Sequence, residues 1–232
     1  MNLDLFKKEV SKLGIEVSLD KLDLLDKYYR LLITWNEKIN LTAITDEDLV
    51  YLKHFYDSLT VFKIINLNDI SNLCDIGTGA GFPGIVLKIF FPHLKLTLVD
   101  SLGKRIKFLD VVVRELGLSD VTTVHMRAEE YGLKVREEFD LVTARAVSSF
   151  NTLLEFSSPL MKISGLFVSM RGIDDTFESE HALKTLNLKI VKKERFKLPV
   201  ENSERTLILV TKNRKTSLKY PRRFSEINRK PL

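Results

Sequence analysis

The sequence has few residues that could form covalent or metal cross-links. Cys74 is its single cysteine, so an internal disulfide cannot form. Its four histidines are scattered along 232 residues, and no group of His, Cys, Asp and Glu shows the spacing of metal ligands. We therefore expect a fold held by its apolar core, with no metal site.

Long apolar runs are also missing. No stretch approaches the roughly 18 apolar residues that a membrane-spanning helix needs. The first ten residues, MNLDLFKKEV, carry charges and lack the apolar core of a signal peptide. Hydrophobic residues make up 44% and charged residues 29%, proportions typical of a globular domain. We expect a cytoplasmic monomer with no membrane contact.

Acidic residues almost disappear near the carboxyl end. Residues 212–232 hold eight basic side chains and one acidic one, whereas the other 211 residues hold 28 basic and 30 acidic ones. This asymmetry favours contact with a polyanion, although a solvated, mobile tail has the same composition. Tyr220 and Phe224 stand among these cations, where stacking on bases and packing on the domain are both open, with packing favoured.

We expect this tail to serve RNA and to leave cofactor binding unaffected. Its candidate RNA-binding residues are Lys219, Arg222, Arg223, Arg229 and Lys230.

The hydrophobic pattern divides the chain into three parts. Residues 1–65 show helical periodicity, with Ser18 placed to cap one helix and a second helical pattern from Asp46 to Ile65. From Ser71 onwards, short apolar runs alternate with amphipathic segments, which predicts an α/β fold with a mostly parallel sheet. The predicted parts are a helical N-terminal extension (1–65), a core (66–211) and a basic tail (212–232).

Seven strands are expected in the core. Their predicted ranges are 71–76, 94–99, 121–125, 138–144, 163–170, 187–195 and 205–211. Helices are predicted at 82–91, 103–117, 126–131, 149–160 and 176–185. The loop between the last two strands contains Pro199 and is too short for a crossover helix, so these strands should form an antiparallel pair.

Four of the ten glycines fall within eight residues, where the first strand gives way to a helix. Glycine there allows a tight turn and a close approach by a ligand. The spacing of Gly79, Gly81 and Gly84 fits a dinucleotide site, with Asp100 placed for a ribose. A glycine turn with no ligand is a third possibility.

The alternative to a dinucleotide site is the methyltransferase pattern, an acid two residues before G-x-G-x-G, which Asp75, Gly77, Gly79 and Gly81 fit. A charge at Asp75 is hard to explain in a dinucleotide site, because a buried carboxylate needs a partner. We therefore favour S-adenosylmethionine, with Asp75 orienting its methionine end directly or through water and Asp100 accepting from the ribose hydroxyls.

The residues after the fourth strand bear on the chemistry. Thr143–Ala146 replaces the Asn/Asp-Pro-Pro-aromatic stretch of enzymes that methylate exocyclic amines. Cys74 lies inside a strand and is expected to be a core residue, not a nucleophile. A guanine N7 has a lone pair and no proton to lose, so its alkylation needs positioning and no base. Arg145 ends the strand, where it would pair with Asp75 or Asp140 or else contact cofactor or RNA.

These residues resemble the bacterial 16S rRNA guanine-N7 methyltransferases, the glucose-inhibited division protein B family, also called small-subunit rRNA methyltransferase G. The resemblance covers nearly the whole chain. It rests on Trp35–Asn36, Asn40–Thr42, His54, Asp57–Leu59, Phe82–Gly84, Leu98–Leu102, Lys104–Arg105, Phe108–Leu109, Arg127–Glu129, Ala144–Ala146, Tyr220–Arg222 and Lys230–Pro231. His54 and Asp57, three residues apart, could also simply bond each other on a helix.

The resemblance implies a Rossmann-like class I methyltransferase that modifies the decoding-region stem-loop of 16S rRNA, as free RNA or in the small ribosomal subunit. It implies cofactor contacts at Gly77, Phe82, Asp100, Ser101, Leu102, Ala128, Glu129 and Arg145. No residue is assigned to the target guanine or to catalysis. The alternatives are a methyltransferase acting on a small molecule, a catalytically silent RNA-binding protein and, more distantly, a dehydrogenase.

Overall fold

The computed structural model describes residues 1–145, 148–172, 174, 176 and 178–232. Ala146, which ends the Ala144–Ala146 motif, lies outside these residues. In the part of the chain that is described, no helix combines the length and the apolar character needed to cross a membrane.

A seven-stranded sheet forms the centre, as the alternating pattern predicts. The strands are β1 (Asn72–Ile76), β2 (Lys95–Asp100), β3 (Val121–His125), β4 (Phe139–Arg145), β5 (Met161–Arg171), β6 (Leu188–Lys197) and β7 (Glu204–Lys212). Their order is β3-β2-β1-β4-β5-β7-β6. Strands β1 to β5 run parallel, and β7 is antiparallel to both β5 and β6. The predicted antiparallel pair is therefore confirmed.

The sheet order reverses between β1 and β4. In an open parallel sheet, ligands bind at the carboxyl ends of the strands beside such a reversal. The glycine-rich loop after β1 lies at this position, and so do the ends of β2, β3 and β4.

Helices cover both faces of the sheet. The helices that follow β1 to β5 are α5 (Gly84–Phe90), α6 (Gly103–Glu115), α7 (Ala128–Lys134), α8 (Phe150–Ser157) and α9 (Glu180–Thr185). One apolar cluster joins α5 and α6 to the N-terminal helices, and a second joins α8 and α9 to the opposite face. Because both faces are covered, β1 is buried along nearly all of its length.

The N-terminal extension is helical but not built from two long helices. It contains α1 (Leu3–Lys12), α2 (Leu19–Ile39), α3 (Glu47–Val50) and α4 (Asp57–Leu59). Ser18 caps α2, as predicted, because its side chain accepts a hydrogen bond from the backbone N–H of Lys21.

The prediction of a regular helix from Asp46 to Ile65 is wrong, because the stretch changes its helical type along its length. A π-helical turn covers Tyr51–Tyr56, and a 3₁₀ turn follows α4. Within this stretch side chains occupy backbone carbonyls: Arg145 donates to the Lys53 oxygen at 2.8 Å, and Ser58 donates to the His54 oxygen at 2.5 Å. The first contact is tertiary and the second is local; both compete with the regular helical hydrogen bonds, and neither is visible in the hydrophobic period.

The C-terminal segment, residues 213–232, packs on the domain instead of extending from it. Arg136 donates to the carbonyls of Thr216 at 3.0 Å and Tyr220 at 2.9 Å. A short helix, α10 (Phe224–Arg229), buries Ile227 in the cluster formed by α8 and α9. Packing of this segment on the domain, favoured above for Phe224, is therefore what the structure shows.

Candidate active site

The loop after β1 depends on glycine for its path. Gly77, Gly79 and Gly81 have φ values of 63°, 62° and 98°, a region that side chains disfavour. A Cβ on Gly81 would lie 2.7 Å from the Tyr28 hydroxyl oxygen and 2.7 Å from Ile85 Cγ1. Gly81 therefore serves packing against α2 as well as the turn.

The N-terminal extension holds this loop in place. Tyr28 of α2 is fully buried, and its hydroxyl donates to the carbonyl of Ala80. Burial raises the pKa of Tyr28 well above its ordinary value, which keeps the hydroxyl available as a donor. The loop is thus clamped between the sheet and the extension.

Asp75 is buried near the end of β1 and accepts hydrogen bonds from three neutral groups. Its carboxylate accepts from Thr78 Oγ1 at 2.6 Å, from Thr143 Oγ1 at 2.9 Å and from the Gly84 N–H at 3.1 Å. Burial raises its pKa to about 6, against the lowering effect of these three hydrogen bonds. Asp75 therefore ties β1, β4 and α5 together, with both carboxylate oxygens directed at protein groups.

Asp100 lies at the corresponding end of β2 and is also almost fully buried. Its Oδ2 accepts from the Gly79 N–H at 2.9 Å and from Arg105 Nη1 at 3.2 Å, and its Oδ1 accepts from the Leu102 N–H at 2.9 Å. A carboxylate has about four acceptor positions, so one remains for a ligand. The contact to Arg105, the longest of the three, is the one most easily exchanged.

A cavity of about 470 Å³ opens at the carboxyl ends of β1, β2 and β3, within the size range of small-molecule sites. Its lining comprises Ile76, Gly77, Val99, Asp100, Ser101, Arg105, Met126, Arg127, Ala128, Glu129, Ser148, Thr152, Phe156, Phe224, Ile227 and Asn228.

Five predicted cofactor residues meet at this cavity: Gly77, Asp100, Ser101, Ala128 and Glu129. The other six do not line it: Asp75, Gly79, Gly81, Phe82, Leu102 and Arg145. The residues from α8 and α10 were missed. For α10 the available signal was the i, i+3 spacing of Phe224 and Ile227 in an otherwise polar segment.

Glu129 lies in the first turn of α7 and is buried beside Arg127. The Arg127 Nε atom donates to Glu129 Oε1 at 2.6 Å. On its other side the guanidinium of Arg127 lies over the ring of Phe224, 3.7 Å from the ring centre. An acidic and an aromatic side chain thus fix Arg127 at the mouth of the cavity.

Arg145 organises a second cluster, between β4 and the N-terminal extension. It contacts Asp57 Oδ2 at 3.5 Å and His54 Nδ1 at 3.2 Å, and Arg205 binds Asp57 from the other side at 3.1 Å. Of the acids considered as alternative partners of Arg145, neither Asp75 nor Asp140 is bound; Asp57 takes that place. The direct bond considered between His54 and Asp57 is replaced by their shared contact with Arg145.

His54 is held neutral by this arrangement. Burial, together with the charge of Arg145, lowers its pKa to about 3. A guanidinium can only donate, so Nδ1 accepts from Arg145 and Nε2 carries the proton toward Thr42 Oγ1, 2.9 Å away. The ring stacks on Phe82 at 4.5 Å between ring centres, and this places Phe82 under the extension and outside the cavity.

The predicted RNA-binding residues divide into two groups. Lys219, Arg223, Arg229 and Lys230 are exposed on the surface of the tail. Arg222 instead forms an ion pair with Glu155, which is fully buried, at 2.6 Å. The charge of Arg222 is therefore already paired within the protein.

A profile of the GidB family, described as rRNA small subunit methyltransferase G, matches residues 21–208 of this chain. Proteins named ribosomal RNA small subunit methyltransferase G are similar to it over their full length: 46% identity in Exiguobacterium sibiricum, covering 100% of both chains, and 47% in Geobacillus sp. strain WCH70, covering 98% of both.

The fold is also shared with more distant proteins. A SAM-dependent methyltransferase from Aquifex aeolicus superposes with a TM-score of 0.57 at 16% identity, covering 74% of this chain and 96% of that one. This likeness shows the class I methyltransferase fold with its mostly parallel sheet. Together with the full-length sequence similarity, it shows that the chain belongs to the GidB family of small-subunit rRNA methyltransferases.

Proposed function

We propose that this chain transfers a methyl group from S-adenosylmethionine to N7 of a guanine in the decoding-region stem-loop of 16S rRNA. Its relatives are named for methylation of small-subunit ribosomal RNA. The guanine N7 and the stem-loop rest on the family resemblance. Such a substrate implies a cytoplasmic location, and we keep the expectation of a monomer.

The choice of cofactor rests on the N–H groups of the glycine loop, which are already hydrogen-bonded within the protein. A dinucleotide site needs free N–H groups at the start of the helix to bind a pyrophosphate. Here Asp100 occupies the Gly79 N–H, Asp75 occupies the Gly84 N–H, and Pro83 has none. Two carboxylates at these positions would repel a pyrophosphate, whereas S-adenosylmethionine has no phosphate.

The residues present fit that cofactor. The free acceptor position of Asp100 would take one ribose hydroxyl, and Ala128 and Glu129 would border the base. Gly77, in the loop after β1, and Ser101, just after β2, would lie close to the ligand. Asp75 would act through Thr78 and Gly84, because its oxygens are already bonded within the protein.

The transfer itself requires positioning. S-adenosylmethionine supplies an electrophilic methyl group, and guanine N7 supplies a lone pair, so no proton must be removed before the step. Cys74 is fully buried in β1, and burial raises the pKa of its thiol, which makes it unsuited to nucleophilic attack on a pyrimidine. Neutral His54 is hydrogen-bonded to Thr42 and Arg145 and stacked on Phe82.

We assign Arg145 to positioning. It connects the end of β4 to the π-helical turn by donating to the Lys53 carbonyl at 2.8 Å, and its guanidinium lies 5.2 Å from the ring centre of Phe82. This fixes Phe82, and with it the glycine loop, from the side opposite the cavity. A direct cofactor contact of Arg145, expected from the resemblance, stays a prediction.

Two exposed cationic surfaces flank the carboxyl ends of the strands and would contact RNA phosphates. One is the tail, with Lys219, Arg223, Arg229 and Lys230. The other, not anticipated from the sequence, is the end of the edge strand β6, where Arg195 and Lys197 are exposed. Asp174 pairs with Arg195 at 2.6 Å and offsets part of that second charge.

Methylation of defined RNA substrates tests this function. The purified chain is incubated with labelled S-adenosylmethionine and either free 16S rRNA or small subunits from a strain lacking this family's enzyme. We expect label in 16S rRNA, located by nuclease digestion and mass spectrometry at one guanine whose product is 7-methylguanine. Label confined to small molecules, or at another atom of the base, would contradict the proposal.

A further inference from the structure

The C-terminal helix α10 lies against the cavity that the proposed function assigns to the cofactor. Phe224, Ile227 and Asn228 line this cavity together with residues of β2, α7 and α8. The expectation that the tail is independent of cofactor binding is therefore at odds with its position.

Long-range contacts fix this segment in place. Just before α10, the backbone N–H and the side chain of Arg222 bind the buried carboxylate of Glu155, with distances of 2.8 Å and 2.6 Å. Just after it, the Asn151 side chain donates to the carbonyl of Leu232 at 2.7 Å. Both partners lie on α8, so α8 anchors the helix from both sides.

Phe224 is attached to the opposite wall. Its ring is stacked by the guanidinium of Arg127, at 3.7 Å, and Arg127 is itself held by Glu129 at 2.6 Å. Stacking of a guanidinium on an aromatic ring contributes roughly 0.5–2 kcal/mol, depending on its exposure. Phe224 is 41% exposed, so part of it is open to a ligand in the cavity that it lines.

The sheet order shows which end of the ligand this wall faces. Strands β1, β2 and β3 are consecutive neighbours, and their carboxyl ends carry Gly77, Asp100 and Arg127 in that order. If Asp100 holds the ribose and Gly77 lies toward the methionine end, the third position belongs to the base. The stack of Arg127 and Phe224 stands at this third position.

We propose that Phe224 is a cofactor-binding residue, which closes the adenine end of the cavity through its stack with Arg127. This inference rests on the proposed cofactor. The adenine would meet a flat wall of ring and guanidinium, which suits a planar base. Docking of α10 and binding of the cofactor then stabilise each other, because α10 and the cofactor both favour the closed arrangement of the cavity.

Calorimetry with S-adenosylhomocysteine tests Phe224 directly. We expect Phe224→Ala to weaken binding about tenfold, since an aromatic stacking contact contributes close to the 1.4 kcal/mol of a tenfold change. Phe224→Tyr, which keeps the ring, should bind as the wild type does. Leu218→Ala is the matched control, because Leu218 is an 83% exposed apolar residue of the same segment.

Two outcomes separate the role of Phe224 from the cofactor assignment. Equal affinity of the wild type, Phe224→Ala and Leu218→Ala would overturn the role of Phe224 and leave the cofactor assignment intact. A wild type that does not bind S-adenosylhomocysteine would overturn the proposed function, and the inference with it.

Limited proteolysis gives a second readout that does not depend on activity. Trypsin cleaves after exposed Arg223 and Arg229, and S-adenosylhomocysteine should slow this cleavage several-fold in the wild type but much less in Phe224→Ala. Cleavage after Arg30, 76% exposed on α2, is the internal reference. Cleavage of the tail at the same rate with and without the ligand would contradict mutual stabilisation.

Discussion

The glycine loop and the C-terminal segment border the same cavity but are held by different interactions. The loop is fixed by hydrogen bonds to two buried carboxylates, Asp75 and Asp100. The segment is fixed by a few contacts across the chain, chiefly Arg222 with Glu155 and Phe224 with Arg127. The loop is therefore held within the core, whereas the position of the segment depends on contacts with residues far away along the chain.

The largest effect on stability is expected from adding a side-chain atom at Gly81, where the loop packs closely against its neighbours. Gly81→Ala combines a disfavoured φ of 98° with a Cβ only 2.7 Å from two side-chain atoms. We expect it to lower the free energy of unfolding by about 3–5 kcal/mol, the sum of strain and overpacking. Denaturant titration measures this.

Gly117→Ala is the control for Gly81→Ala. Its φ is 62°, and a Cβ would meet no atom within 4 Å, so only the backbone cost of about 1–2 kcal/mol should appear. Equal losses in the two variants would show that close packing around Gly81 contributes nothing.

Asp75 should make stability depend on pH. Its pKa is about 6 in the folded chain against an ordinary 3.8, so folding favours the protonated form. The stabilisation is fully present below the unfolded pKa and is lost as pH rises through the folded pKa, up to about 3 kcal/mol in all. Denaturant titrations from about pH 4 to about pH 7 should show this decline in the wild type and not in Asp75→Asn. Parallel pH profiles would argue against a raised pKa.

Asp100→Ala should weaken binding of S-adenosylhomocysteine by about 1.5–3 kcal/mol, the usual cost of losing hydrogen bonds to a charged acceptor. The fold should persist, because the residue ends β2. Asp26→Ala, which removes an exposed carboxylate on α2, is the control. Unchanged affinity in a folded Asp100→Ala variant would remove this residue from the site.

The smallest effect should come from the exposed tail cations. Replacing Arg223, Arg229 and Lys230 by Gln should weaken binding of a 16S rRNA fragment and flatten its salt dependence by up to about one unit per lost phosphate contact. Filter binding across a salt series measures both. Affinity for S-adenosylhomocysteine should stay the same, which separates the charges of the tail from Phe224. An unchanged salt slope would remove these three residues from the RNA surface.

The sequence predicted the parts of the molecule whose partners are close along the chain. The strands could be predicted because each is an apolar run bounded by turn residues. Asp75 hydrogen-bonds to Thr78 and Gly84, which lie within nine residues of it in the sequence. The π-helical turn was missed because Arg145, 92 residues away, occupies its carbonyl. The role of Arg222 was missed because Glu155, 67 residues distant, is an ordinary helical residue in the sequence.

Composition alone misdirected the interpretation of the tail. A count of charges cannot distinguish Lys212, which is fully buried and bonded to the carbonyls of Ser158 and Met161, from exposed Lys219. It also gives no weight to Phe224 and Ile227, whose contacts decide where the segment lies. Only the tertiary structure supplies this distinction.

The most direct test of the account compares two ligands on the wild-type chain. Calorimetry with S-adenosylhomocysteine and with NAD measures whether the glycine loop, with its N–H groups already bonded to Asp75 and Asp100, accepts a ligand with or without a pyrophosphate. We predict binding of S-adenosylhomocysteine and none of NAD. Tight binding of NAD with no binding of S-adenosylhomocysteine would contradict the account at its centre.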